Sequence, residues 1–180
     1  MKGLNFLTFF ILFNFSDSIF GCSCNGTWTT KTAYENSKNV IYGKVLDTSF
    51  VSLAQTMDSE KLIDFLARNP FIDEGKYNIL FDPLVIRTEI LVIEFYKGLQ
   101  TEDTIVVYTP RRGASCGYQW FSEGSMHIIF DSGPDFIYQF AGINSELKKP
   151  NTYWTNNCTY TCLIHEGMLK ELDELSKSDE

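Results

Sequence analysis

The chain has 180 residues and a formal net charge of −8, with 44% hydrophobic and 15% aromatic residues. An acidic chain is repelled by nucleic acid, whose phosphates are bound by Lys and Arg, so nucleic acid is excluded as a partner. The length suits one domain with its own core, and the supply of aromatic and β-branched residues favours a mainly β fold.

Residues 1–21 read as a secretory signal peptide. Lys2 precedes an apolar run from Leu4 to Phe15, and SDSIFG then leads to a cut after the small Gly21. The run is too short to span a bilayer and nothing later is long enough, so no transmembrane span is expected. The remaining domain, residues 22–180, would begin with CSCNG at Cys22.

NVIYGKVL (39–46) alternates as a first strand. Residues 48–83 break the β pattern and read as a helical insertion. Within it, DSEKLIDFLARNP puts Leu62, Ile63 and Leu66 on one helical face, Asp58 at the cap and Pro70 at the stop. VIRTEILVIEFYKG (85–98) and DTIVVYTP (103–110) predict a hairpin across a short polar turn. SMHIIF (125–130) is a further strand, with FIYQFAGI (136–143) as its expected partner across DSGPD. A helix is expected over 163–176, with Ile164, Met168, Leu172 and Leu175 as its apolar stripe. These spacings predict a small five-stranded barrel with a terminal helix.

The catalytic vocabulary is sparse. The two histidines are His127, inside a strand, and His165, in CLIHEG, which is not a zinc-hydrolase H-E-x-x-H. Cys162 and His165 lie three apart, but a thiol nucleophile also needs a lowered pKa and an orienting group. No G-x-S-x-G, P-loop or dinucleotide fingerprint occurs, so neither an enzyme nor a cofactor is expected. The five cysteines are Cys22, Cys24, Cys116, Cys158 and Cys162. In an exported chain they read first as disulfides with one left over. Cys22-x-Cys24 with Cys158-x3-Cys162 is the alternative, as a structural zinc site.

Taken in order, CSC at the new N-terminus, VIYGKV, EFYKGLQ, VVYTPRRGASCGY and the late cysteine of WTNNC resemble the tissue inhibitors of metalloproteinases and, more broadly, the netrin-like domains. The resemblance covers most of residues 22–160. It implies an OB-fold barrel with its N-terminus strapped to its side by Cys22–Cys116 and Cys24–Cys158, leaving Cys162 odd. It also implies a function as a secreted inhibitor. The Cys22 amine and carbonyl would chelate the catalytic zinc of a target metalloprotease, Ser23 would point into its specificity pocket, and Ala114 and Ser115 would form the second edge of the wedge.

Two alternatives stand beside that expectation. The chain is a netrin-like extracellular module without inhibitory activity, or IFGC is a lipobox and Cys22 is lipidated, anchoring the protein to a membrane. Lipidation would leave Cys24, Cys116, Cys158 and Cys162 to pair without remainder. The sequons at Asn25 and Asn157 matter in a glycosylating host, and a glycan at Asn25 would obstruct the wedge.

Overall fold

The computed structural model describes residues 29–111, 116–133, 135–140 and 142–178. The expected signal peptide, Cys22, Ser23, Cys24, Ala114 and Ser115 lie outside the described residues.

A short helix, α1 (Thr30–Asn36), comes first. The Thr29 hydroxyl accepts from the Thr32 N–H at 3.2 Å, while the Thr29 N–H donates to the Thr32 hydroxyl at 2.9 Å. This reciprocal cap satisfies two donors that a helix start leaves unpaired. Strand β1 follows at Val40–Val51, ending five residues later than the alternation of 39–46 predicts. The extra length, through Thr48, Phe50 and Val51, pairs with the start of β2 (Val85–Lys97), from Thr48 against Thr88 to Val51 against Val85. The β1–β2 register shifts three times. At the middle shift Gly43 lets the strands approach closely, because a Cβ there would sit 2.3 Å from Ile90 Cγ2 and 2.8 Å from the Leu91 carbonyl oxygen.

The insertion holds a single 3-10 turn and two helices, α2 (Ser59–Arg68) and α3 (Glu74–Phe81). Asp58 caps α2 as expected, accepting from the N–H groups of Glu60 and Lys61, both at 3.1 Å. The inward face differs: Leu62 and Phe65 pack on the core, whereas Ile63 is 67% exposed. The second helix carries its own cap, Asp73 accepting from Lys76 N–H at 2.9 Å, and contributes the buried Leu80.

The β2–β3 hairpin stands where expected, with β3 at Thr104–Pro110 and Val85 paired with Pro110. Strand β4 (Met126–Phe130) pairs with β1, from Val40–Phe130 to Lys44–Met126. Its expected partner is not a strand. Residues Asp135–Phe140 form helix α4, whose Ile137 and Tyr138 enter the core beside Trp154, and Gly142 at φ +65 closes its end. A short continuous apolar run does not distinguish a strand from a buried helix, and the packing around Trp154 decides it here.

Two short strands complete the sheet. Strand β5 (Thr152–Trp154) runs parallel to β3, and β6 (Cys162–Leu163) pairs with β4. The C-terminal helix α5 (Met168–Ser178) therefore begins five residues later than expected, after Gly167 at φ +85. Met168 and Leu172 of its stripe are buried, and Ile164 lies before the helix.

The chain is thus mainly β, a six-stranded sheet of order β5-β3-β2-β1-β4-β6 with several helices. The expected five-stranded barrel is not seen as such: among the described residues the ladders form an open six-stranded sheet. Its two sides nevertheless meet beyond β4. The Ser132 N–H donates to the Trp154 carbonyl at 2.7 Å. The buried Asp131 carboxylate accepts from Trp154 N–H at 2.9 Å, Gly133 N–H at 3.1 Å and the Asn39 amide at 2.8 Å. Among the described residues no helix is long and apolar enough to cross a membrane.

Candidate functional site: a shoulder at the ends of β3 and β5

Because β3 and β5 are parallel, both leave the sheet at the same end. The chain beyond β3 leads to Cys116, and the chain beyond β5 leads to Cys158. Two cysteines far apart in sequence are thereby delivered to one place. The Asn157 N–H donates to the Cys116 carbonyl oxygen at 2.7 Å, which locks the two segments together.

The described residues on each side are anchored by hydrogen bonds. At the exit of β3, Arg111 donates its N–H to the Leu84 carbonyl at 2.8 Å, and its guanidinium lies 4.2 Å from the centre of the Phe50 ring. The Gln119 amide returns to the Arg111 carbonyl at 2.6 Å, and the Tyr118 N–H donates to the buried Thr109 hydroxyl at 2.7 Å. These bonds tie Tyr118 and Gln119 to the end of β3. Cys116 itself has φ +61, a left-handed conformation that costs a non-glycine residue about 1 kcal/mol and so must be held by its surroundings.

On the other segment, the Asn156 side chain accepts from Cys158 N–H at 2.7 Å, and the Thr159 hydroxyl donates to the Asn156 carbonyl at 2.8 Å. A cluster of hydroxyls from Thr155, Thr159 and Thr161 seats this turn against β4, where Thr161 accepts from Phe130 N–H at 3.0 Å.

The three described cysteines divide cleanly. Cys116 and Cys158 are engaged, and Cys162 is the free thiol. Cys162 is half-buried, with its sulfur 3.8 Å from the Met168 sulfur, and burial pushes its pKa up to about 11. That suits a packed thiol and opposes a nucleophile. Nor does it share a helix face with His165, since Cys162 is in β6 and the exposed His165 precedes α5. No group of three or more metal-ligating side chains forms among the described residues.

His127 is fully buried beneath the shoulder. Tyr118 Oη is 3.0 Å from its Nδ1, and Ser125 Oγ is 2.7 Å from its Nε2. Phe121 and Tyr118 meet the imidazole edge-on at 4.9 and 5.6 Å between ring centres. Ser125 donates its hydroxyl proton to the Ser122 carbonyl at 2.5 Å. Its oxygen therefore accepts from His127 Nε2–H, and Tyr118 donates to Nδ1. Burial lowers the His127 pKa to about 4, opposed in part by a main-chain hydrogen bond at Cys162. This neutral, saturated network ties both ends of segment 118–125 to β4.

Of the expected site residues, Cys116 and its neighbour Cys158 are brought together, while Cys22, Ser23, Cys24, Ala114 and Ser115 fall outside the described residues. The supports in Thr109, Tyr118, Asn156 and His127 were not anticipated. Asn156 alone had a local signal, an Asx residue two before the N–H it accepts. No family model matches the chain, and no curated protein matches it.

Proposed function

We propose that the protein is a secreted metalloprotease inhibitor that presents its N-terminus from the Cys116–Cys158 shoulder. The observation that carries this reading is the state of the described cysteines: Cys116 and Cys158 are adjacent and engaged, and Cys162 is free. Bridges Cys22–Cys116 and Cys24–Cys158 account for that division. The lipidated alternative does not, because it needs Cys162 as a partner. Each bridge closes a loop of order one hundred residues and stabilises by up to about 4–5 kcal/mol in the chain-entropy picture.

The chemistry follows from the tethering. A catalytic zinc keeps one position open for water. The α-amine and carbonyl oxygen of Cys22 are spaced to close a five-membered chelate ring in that position. An α-amine with a pKa near about 8 gives up its proton readily at neutral pH. Ser23 would then enter the specificity pocket, with Ala114, Ser115 and Cys116 as the second edge. A ridge fixed beforehand loses little conformational freedom on docking.

The fold reading belongs to the same proposal. The order β5-β3-β2-β1-β4, the parallel β3–β5 pair and the Ser132–Trp154 bond support an incompletely closed OB barrel with β6 added outside β4.

The test compares the chain beginning at Cys22 with one carrying an extra N-terminal alanine, against a panel of zinc endopeptidases. The extension is expected to weaken inhibition by at least about a hundredfold, a loss of about 3 kcal/mol. Equal inhibition by the two forms refutes chelation, and a panel without inhibition leaves the netrin-like binding module.

A further inference from the structure

The Asn157 side chain, on the shoulder, makes no hydrogen bond to the described residues. Asn157 is exposed on the turn after β5, and only its main-chain N–H is used, in the bond to Cys116. The hydrogen bonds that shape the turn fall on its neighbours. Asn156 accepts from Cys158 N–H at 2.7 Å and donates its amide to the Ser132 hydroxyl at 3.4 Å. Thr159 bonds the Asn156 carbonyl at 2.8 Å and the Thr155 hydroxyl at 2.7 Å. Asn157 begins the tripeptide Asn157-Cys158-Thr159, which has the form of an N-glycosylation acceptor.

We propose that Asn157 is an N-glycosylation site whose carbohydrate stands on the Cys116 shoulder and governs access to it. In the transfer, the Asn157 amide nitrogen bonds to the anomeric carbon of a lipid-linked oligosaccharide. The bond from that carbon to the lipid pyrophosphate breaks, and the amide proton passes to the medium. The folded turn gains a substituent and loses no hydrogen bond among the described residues, because the modified nitrogen makes none there.

The same geometry dates the reaction. In the folded chain the Thr159 hydroxyl, which the acceptor motif requires, is committed to Asn156 and Thr155, and Cys158 between the two is engaged. Transfer therefore precedes closure of the turn. Folding at Cys158 competes with it, and slowing that closure raises occupancy.

The modification rests on the export part of the function proposed above. The effect on docking rests on the inhibitor reading as well. The experiment expresses the full chain, Asn157→Gln and Cys158→Ser, each also carrying Asn25→Gln so that no second glycan stands at the wedge, in a eukaryotic secretory cell line. Occupancy is measured by peptide mapping before and after an asparagine amidase, and inhibition is measured on the endopeptidase panel. The expected result is carbohydrate at Asn157, higher occupancy in Cys158→Ser, and inhibition at least about tenfold stronger for Asn157→Gln than for the glycosylated chain, or about 1.4 kcal/mol.

An exported chain with bare Asn157 overturns the site and leaves export standing. A chain kept inside the cell with its leader attached overturns export and the site together. Unchanged occupancy in Cys158→Ser overturns the timing. Equal inhibition by the two forms overturns the control of docking. If neither form inhibits, the inhibitor reading fails while the mapping still decides the site.

Discussion

Acidification should weaken this fold through His127 by an amount that the structure sets. The imidazole is fully buried between Tyr118, Phe121, Ser125 and β6, and burial lowers its pKa from 6.5 to about 4. The unfolded chain therefore takes up a proton more readily than the folded one. Stability contributed by the neutral imidazole is fully present above the unfolded pKa, is lost as the pH falls through that window, and is exhausted below the folded pKa. The separation of pKa values corresponds to about 3 kcal/mol in total, of which about 2 kcal/mol is lost between about pH 7 and pH 5. Urea unfolding of the wild type and of His127→Gln, followed by tryptophan fluorescence at both pH values, isolates this contribution, because the carboxylates titrate alike in both chains. The variant should be less stable at neutral pH, having lost ring packing against Tyr118 and Phe121. On acidification it should lose about 2 kcal/mol less than the wild type. Equal losses, or an imidazole that titrates near its ordinary value by proton NMR, would refute the reasoning.

Three further outcomes follow from particular contacts. Asp131→Ala removes the acceptor for Trp154, Gly133 and Asn39 and should cost about 3 kcal/mol of unfolding free energy, with Asp131→Asn recovering part of it; a loss below about 1 kcal/mol would mean that this carboxylate does not join β4 to β5. Gly43→Ala drives a methyl group into Ile90 and the Leu91 carbonyl and should cost about 2–3 kcal/mol in denaturant titration, whereas a neutral substitution would contradict the close approach of β1 and β2. With its pKa raised from 9.0 to about 11, Cys162 in the folded chain should react with iodoacetamide about a hundredfold more slowly at mildly alkaline pH than in denaturant, and an equal rate would place the thiol in solvent.

Local sequence determined those elements whose residues carry their own instruction. The alternation of VIYGKV and the long β-branched run of VIRTEILVIEFYK are legible because a half-buried strand needs one face for the core and one for solvent. Asp58 before SEKL marks the start of α2 because its carboxylate satisfies the first N–H groups locally. The cysteines and their order were likewise legible, whereas Cys162 as the odd one was implied by the family resemblance alone. Tertiary structure alone decided the rest. FIYQFAGI is apolar enough for either a strand or a buried helix, and it becomes α4 because Ile137 and Tyr138 fill the space beside Trp154. TYW is too short to announce a strand and exists as β5 only because β3 offers a parallel edge to it. Neither Cys116 nor Cys158 carries any local mark of the other. They meet because parallel strands end on the same side of a sheet, and that is a property of the pairing, which no single stretch of sequence contains.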